Sequence, residues 1–258
     1  MEIHKPKATH TLREFLTEIG TIVCGILIAL VLEQAAEAFH RSHLIEQAED
    51  AMRSEIMNDD GPQAYARLAI TPCLSRQVDA LRTAVEKRVA PDEFGKLVAA
   101  YNPPKRSWDD DALKAAQSSG ALSNMGAAKI DRWTLAYLMM PSLDSAETAQ
   151  TDALRRLNRT RFKSGDWSQS RADELSDIVD DLGLANERMA RFVAQQSFNM
   201  KTTKLELPVA VRQSLLAEAR TSYGDCAVEP DLRVLDAWQR QLHTAEQDAA
   251  VMKHLMGR

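Results

Sequence analysis

Glu37 and His40 are separated by two residues, Glu-Ala-Phe-His, the spacing that sets a carboxylate and an imidazole on one helical face and that di-iron bundles use to hold metal. His43 adds a donor on the neighbouring face, so Glu37, His40 and His43 are the candidate metal ligands of this chain. Such a centre needs a second Glu-x-x-His and carboxylates from other helices, and the sequence contains no second copy. Amphipathic residues are also what a helix carries where it leaves a bilayer. The expectation is therefore no metal and no cofactor. Other reaction signatures are missing as well: there is no Gly-x-Ser-x-Gly elbow, no Ser-x-x-Lys and no Gly-rich phosphate loop. His243 and His254 lie eleven residues apart on the last predicted helix and read as solvated or packed side chains. No residue is assigned a catalytic role, and a non-enzymatic chain is expected. The alternative is a periplasmic metal-dependent enzyme or hydrolase on a helical scaffold.

What positions Glu37 and His40 is the apolar run at residues 15–32, which covers about 27 Å as a helix against the roughly 30 Å of a hydrocarbon core. Lys5, Lys7 and Arg13 precede it, whereas Glu33, Gln34 and Glu37 follow it and Arg41 is the first cation beyond. This asymmetry predicts a cytoplasmic amino terminus and a single pass through a bacterial inner membrane, with the rest of the chain in the periplasm. Glu18 then sits at the cytoplasmic edge and reaches the headgroups. A cleaved signal peptide is the rival reading, because Ala36-Glu37-Ala38 resembles a small-x-small site. Against it stand the long lead-in with Glu14 and Glu18, and the lack of proline or glycine between Glu33 and Asp59, which predicts a helix running through that site. The predicted organisation is a lead-in over 1–14, a transmembrane helix over 15–32, a helical stalk over 33–60 and a periplasmic helical domain over 61–258.

Composition points to an all-α fold. Hydrophobic residues make up 45% of the chain, enough for a core, while the 10 glycines, 9 prolines and 5% aromatics are too few to favour sheet. A net charge of −5 with scattered cations offers no footprint for nucleic acid. Beyond the membrane the first helix carries the stripe Ile45, Ala48, Met52, Ile56, and Asn58-Asp59-Asp60-Gly61-Pro62 is expected to stop it. Further helices are predicted over 63–87, broken near Pro72, after Pro91, from a capping box at Ser107 to Gly120, and over 126–140, 142–163, 168–200 and 208–223. The last helix has apolar residues Leu235, Trp238, Leu242, Ala245, Ala249, Met252 and Met256 at alternating steps of three and four. This coiled-coil-like seam packs within the bundle or against a second chain, an unidentified protein partner or another copy.

Cys24 falls within the apolar run, which leaves Cys73 and Cys226 as an even pair in a compartment where disulfides persist. Each sits in a chain-reversing context, Thr71-Pro72-Cys73 and Gly224-Asp225-Cys226, and a bond between them is one of two readings, the other being two free thiols.

The opening Met-Glu-Ile-His-Lys-Pro-Lys, then Arg13-Glu14-Phe15-Leu16, Glu18-Ile19-Gly20, the run from Gly25 to Leu30 and Glu33-Gln34 resemble a group of uncharacterised proteobacterial single-pass membrane proteins. Trp108 followed by Ser119-Gly120-Ala121-Leu122 and Met125 is similar to a Trp-to-Gly-Ala-Leu segment of the same proteins and of a related domain of unknown function. The resemblance implies an inner-membrane anchor with a periplasmic helical domain, and it implies no catalytic residue.

Thr21, Gly25 and Ala29 recur at steps of four, and their face continues into Glu33, Glu37 and His40. Small residues at that spacing let two membrane helices approach closely, which predicts a parallel homo-oligomer through this face. Replacing Thr21, Gly25 and Ala29 together by leucine is expected to lower the signal of a transmembrane-association reporter several-fold; an unchanged signal would exclude the interface.

Overall fold

The computed structural model describes residues 12–161 and 167–231, and the fold is all-α: among these residues every regular element is a helix. The seam from Leu235 to Met256, with His243 and His254, lies outside the described residues. Helix α1 (Leu12–Glu55) contains no proline, and from Phe15 to His43 its described side chains are exposed. It begins the one helix, among the described residues, long and apolar enough to cross a membrane. Ala36-Glu37-Ala38 lies in its uninterrupted middle.

Beyond His43 the helix joins the core. Ile45 and Ala48 are half-buried, while Met52 and Ile56 are fully buried, so the stripe at steps of three and four is the contact face of the stalk. The expected stop at residues 58–62 does not occur. A π-helical turn, Ile56–Asp60, leads straight into α2 (Gly61–Glu86), and one helix runs from Phe15 to Glu86. Pro62 has no N–H to continue the helical ladder, and the register changes just before it, where the Gly61 N–H reaches back five residues to the Ile56 carbonyl. Gly61 has helical dihedrals, so the chain uses its small size: a Cβ there would lie 2.7 Å from the Ile56 carbonyl oxygen.

Nor does Pro72 break α2, although proline inside a helix costs about 3 kcal/mol. Ala69, Ile70, Cys73 and Leu74 around it are all buried, and this packing holds the helix through the lost hydrogen bond. The remaining helices are α3 (Pro91–Ala100), α4 (Asp111–Ser118), α5 (Ala127–Tyr137), α6 (Met140–Arg161), α7 (Gln169–Thr202) and α8 (Val209–Tyr223). Ser168 caps α7 by accepting the Arg171 N–H at 3.2 Å, and Gly120 closes the turn after α4 at φ +77°.

α2 packs mainly against α7, and α7 against α6. Gly183 brings α7 close to α2, since a Cβ there would meet Val78 and Arg82 at 3.3 Å. The apolar interior is divided in two. One cluster joins Met52, Ile56, Tyr65, Trp133, Leu143, Met189 and Val193; the other joins Leu74, Leu81, Phe94, Leu157, Leu175, Ile178 and Leu182. α2 and α6 enter the first cluster with their amino-terminal halves and α7 with its carboxy-terminal half, so α7 runs antiparallel to both.

Cys73 of α2 is bonded to Cys226 of the 3₁₀ turn Gly224–Cys226, their Cα atoms 5.2 Å apart across a sequence separation of 153. The Val228 N–H donates to the Ala69 carbonyl at 3.0 Å, so the segment after α8 is fixed to mid-α2 by covalent and hydrogen bonds together. Cys226→Ser is expected to lower the unfolding free energy by up to about 5 kcal/mol, the chain-entropy value for so long a loop. Urea unfolding of both forms, with and without reductant, checks this: reductant is expected to destabilise only the parent protein.

Candidate functional site

One face of α2 presents Gln63, Ala66, Arg67, Ile70 and Gln77 to a cleft of about 780 Å³. Spacings of three, four and seven make this a single helical stripe, in which Arg67 and Ile70 also belong to the buried side of α2. The opposite wall is the non-helical segment after α3 together with Leu215, Glu218 and Tyr223 of α8. Pro103 and Pro104 keep that segment out of a helix, and Glu147 of α6 holds it in place. The Arg106 N–H donates to Glu147 Oε1 at 2.7 Å and the Trp108 indole N–H to Glu147 Oε2 at 2.9 Å. Tyr223 donates from its hydroxyl to the Asn102 carbonyl at 2.8 Å. The capping box expected at Ser107 is therefore not made. Ser107 Oγ bonds Asp109 instead, α4 starts at Asp111, and the Ala112 N–H is capped from α1 by Glu55 Oε2 at 2.8 Å.

At the floor of the cleft Arg67 is only 5% exposed. Its Nη2 donates to Gln150 Oε1 of α6 and Asn186 Oδ1 of α7, both at 3.1 Å. Gln150 donates to the Tyr101 hydroxyl at 2.6 Å and Asn186 to Ser75 Oγ at 3.3 Å. All of these partners are neutral. No carboxylate among the described residues lies within ion-pair distance of Arg67, and its Nε has no hydrogen-bond partner. Burial lowers the Arg67 pKa from its ordinary value, opposed by Tyr101, Glu147 and Tyr223. A guanidinium nonetheless stays charged. Burial pushes the Tyr101 hydroxyl up to about 12, so it remains neutral.

A second buried polar group sits where α1 becomes α2. Asp60, fully enclosed on the π turn, accepts only the Asp109 N–H, at 3.4 Å, and its Oδ2 has no partner. Glu55 lies in the same junction with its Oε1 unpartnered, and the Tyr137 hydroxyl donates to the Met52 carbonyl at 3.1 Å. Burial raises the Asp60 carboxyl to about 7, offset in part by the Asp109 N–H and reinforced by the carboxylates of Glu55, Asp109 and Asp59.

The residues that sequence reasoning singled out are elsewhere. Glu37, His40 and His43 are exposed on α1, His43 Nε2 pairs with Gln47 Nε2 at 3.0 Å, and no group of three metal-ligating side chains occurs among the described residues. Thr21, Gly25 and Ala29 line an exposed face of α1, and a Cβ at Gly25 would meet nothing within 4 Å. Arg67, Gln150 and Asn186 went unnoticed in the sequence. Their signal was present: each interrupts an apolar three-and-four pattern at a position where the helix is buried.

Fold and cleft define an all-helical protein with one candidate membrane helix among the described residues and a polar-floored cleft on the bundle that continues it. No protein-family model matches the chain, and neither a curated protein nor a solved structure matches it.

The sign of the Asp60 effect follows from its raised value. Folding takes up a proton, so the stability associated with Asp60 is fully present below the ordinary value of 3.8, falls as pH rises, and levels off above about 7. The slope is at most about 1.4 kcal/mol per pH unit. Asp60→Asn is expected to flatten it, which urea unfolding at pH 5 and pH 8 would show as a smaller difference between the two midpoints than in the parent protein.

Proposed function

We propose that this chain is a single-pass membrane protein of the bacterial inner membrane, its amino terminus cytoplasmic and its helical bundle periplasmic, and that it works by binding. Sensing or scaffolding is the role, as a homo-oligomer or with a protein partner. The observation that carries this reading is continuity: the helix able to cross the membrane and the helix that floors the cleft are one element, Phe15–Glu86. The cations ahead of the apolar run and the acids after it support the orientation. The Cys73–Cys226 bond suits an oxidising compartment. Resemblance to proteobacterial single-pass proteins agrees with both.

Binding is favoured over reaction by the chemistry of the cleft. Its best-placed carboxylate, Glu147, already accepts two N–H groups, and Arg67 is held by amides; neither is arranged as a base beside a nucleophile. A fusion of a reporter enzyme that is active only after export, placed after Arg258, tests the topology and is expected to be active; inactivity would reverse the orientation. Crosslinking in intact membranes is expected to give a homo-oligomer or one defined partner, and a protein that stays monomeric and uncrosslinked would contradict the association.

A further inference from the structure

We infer that the cleft binds a small zwitterion, a free amino acid or a short peptide, with its carboxylate on the guanidinium of Arg67. This rests on the reading of the chain as a binding module. Three polar atoms bordering the cleft are enclosed without any hydrogen-bond partner: Arg67 Nε, Gln63 Oε1 and Gln77 Oε1. All three belong to the same stripe of α2. Buried polar atoms in folded proteins are almost always satisfied, and a buried cation without an ion pair in contact is the costliest exception. α6 and α7 touch Arg67 through neutral amides; the nearest carboxylate, Glu147 of α6, acts on it at a distance and is already committed to the Arg106 and Trp108 N–H groups, so a negative charge in direct contact with Arg67 has to come from the cleft. A carboxylate matches a guanidinium fork in shape and charge.

The rest of the lining selects what that carboxylate is attached to. Asp59, Glu147 and Glu218 face the same space as Arg67 and Arg106, so acids outnumber bases there and a doubly charged anion such as phosphate is repelled. The amide oxygen of Gln63, about one turn or 6 Å along α2 from Arg67, accepts a hydrogen bond and needs a donor, while Gln77 lies about 15 Å along the helix, beyond the reach of so small a ligand. An ammonium or peptide N–H supplies the donor for Gln63 and meets the acids favourably. Pro62, Ala66, Ala100, Pro104 and Leu215 leave apolar surface for a side chain, and about 780 Å³ accommodates a molecule of amino-acid to dipeptide size.

The test uses the full-length protein in detergent, titrated by calorimetry with the twenty amino acids, alanyl-alanine, acetate and inorganic phosphate. At least one amino acid or the dipeptide is expected to bind saturably, and its carboxamide at least tenfold more weakly. Arg67→Lys, which keeps the charge but loses the fork, is expected to weaken binding more than tenfold. Ala66→Phe fills the cleft beside Arg67 from a half-buried position and is expected to abolish binding with little change in melting temperature, which keeps the proposal testable should the Arg67 variant misfold. No saturable binding by any amino acid or the dipeptide overturns the inference. So does acetate or phosphate binding as tightly as the zwitterions, or binding that survives Ala66→Phe. Topology and crosslinking are read independently of these titrations, so the membrane-module reading survives or fails separately.

Discussion

A guanidinium held between three helices at the floor of the cleft sets the register of this molecule. Arg67 meets Gln150 and Asn186 at the level that separates the two hydrophobic clusters, with Tyr65 on one side of it in α2 and Ile70 on the other. Sliding α6 or α7 by one turn would set the charge against Ala146, Ala153, Leu182 or Met189. Apolar packing tolerates such slips at modest cost, whereas an unsolvated cation does not. The polar layer thus acts as a register pin for α2, α6 and α7, the role that a single buried asparagine plays in a coiled coil.

The other helices are arranged around that pinned trio. α1 and the π turn reach the core through Met52 and Ile56, and the outer edge of α1 is tied by Glu49, which accepts the Trp133 indole N–H at 3.3 Å and pairs with Lys129 at 2.7 Å. Trp133 is fully buried, so α5 closes one end of the molecule over the stalk. At the other end the Phe94 and Trp167 rings meet edge-on at 5.6 Å, while the Trp167 indole donates to the Val89 carbonyl at 2.7 Å. Each end is sealed by an aromatic group with its polar atom satisfied, as burial of indole requires.

Much of this was legible in the residues. Apolar spacing located α1 and its stripe, the helices from α5 to α8 fall within a few residues of where periodicity puts them, Ser168 caps the start of α7 and Gly120 marks the end of α4. The failures share one cause. Gly61-Pro62 and Pro72 read as breaks and Ser107 as a cap because local preference was the only guide, and in each case contacts from distant segments decided otherwise: Met200 against Gly61, the buried ring of residues around Pro72, Glu147 on Arg106 and Trp108. Arg67 was hidden for the same reason. A cation in an apolar stripe is read as surface until two amides more than eighty residues away are seen to receive it.

The unbroken rod from Phe15 to Glu86 also sets a distance. Counting from Leu32, where the apolar run ends, to Arg67, a rise of 1.5 Å per residue lifts the cleft floor about 50 Å from the end of that run. In the proposed single-pass arrangement a lipid would have to leave its leaflet to reach that height, so an occupant of the cleft would come from the water phase, and a helix without a loop would hold the cleft away from the membrane surface.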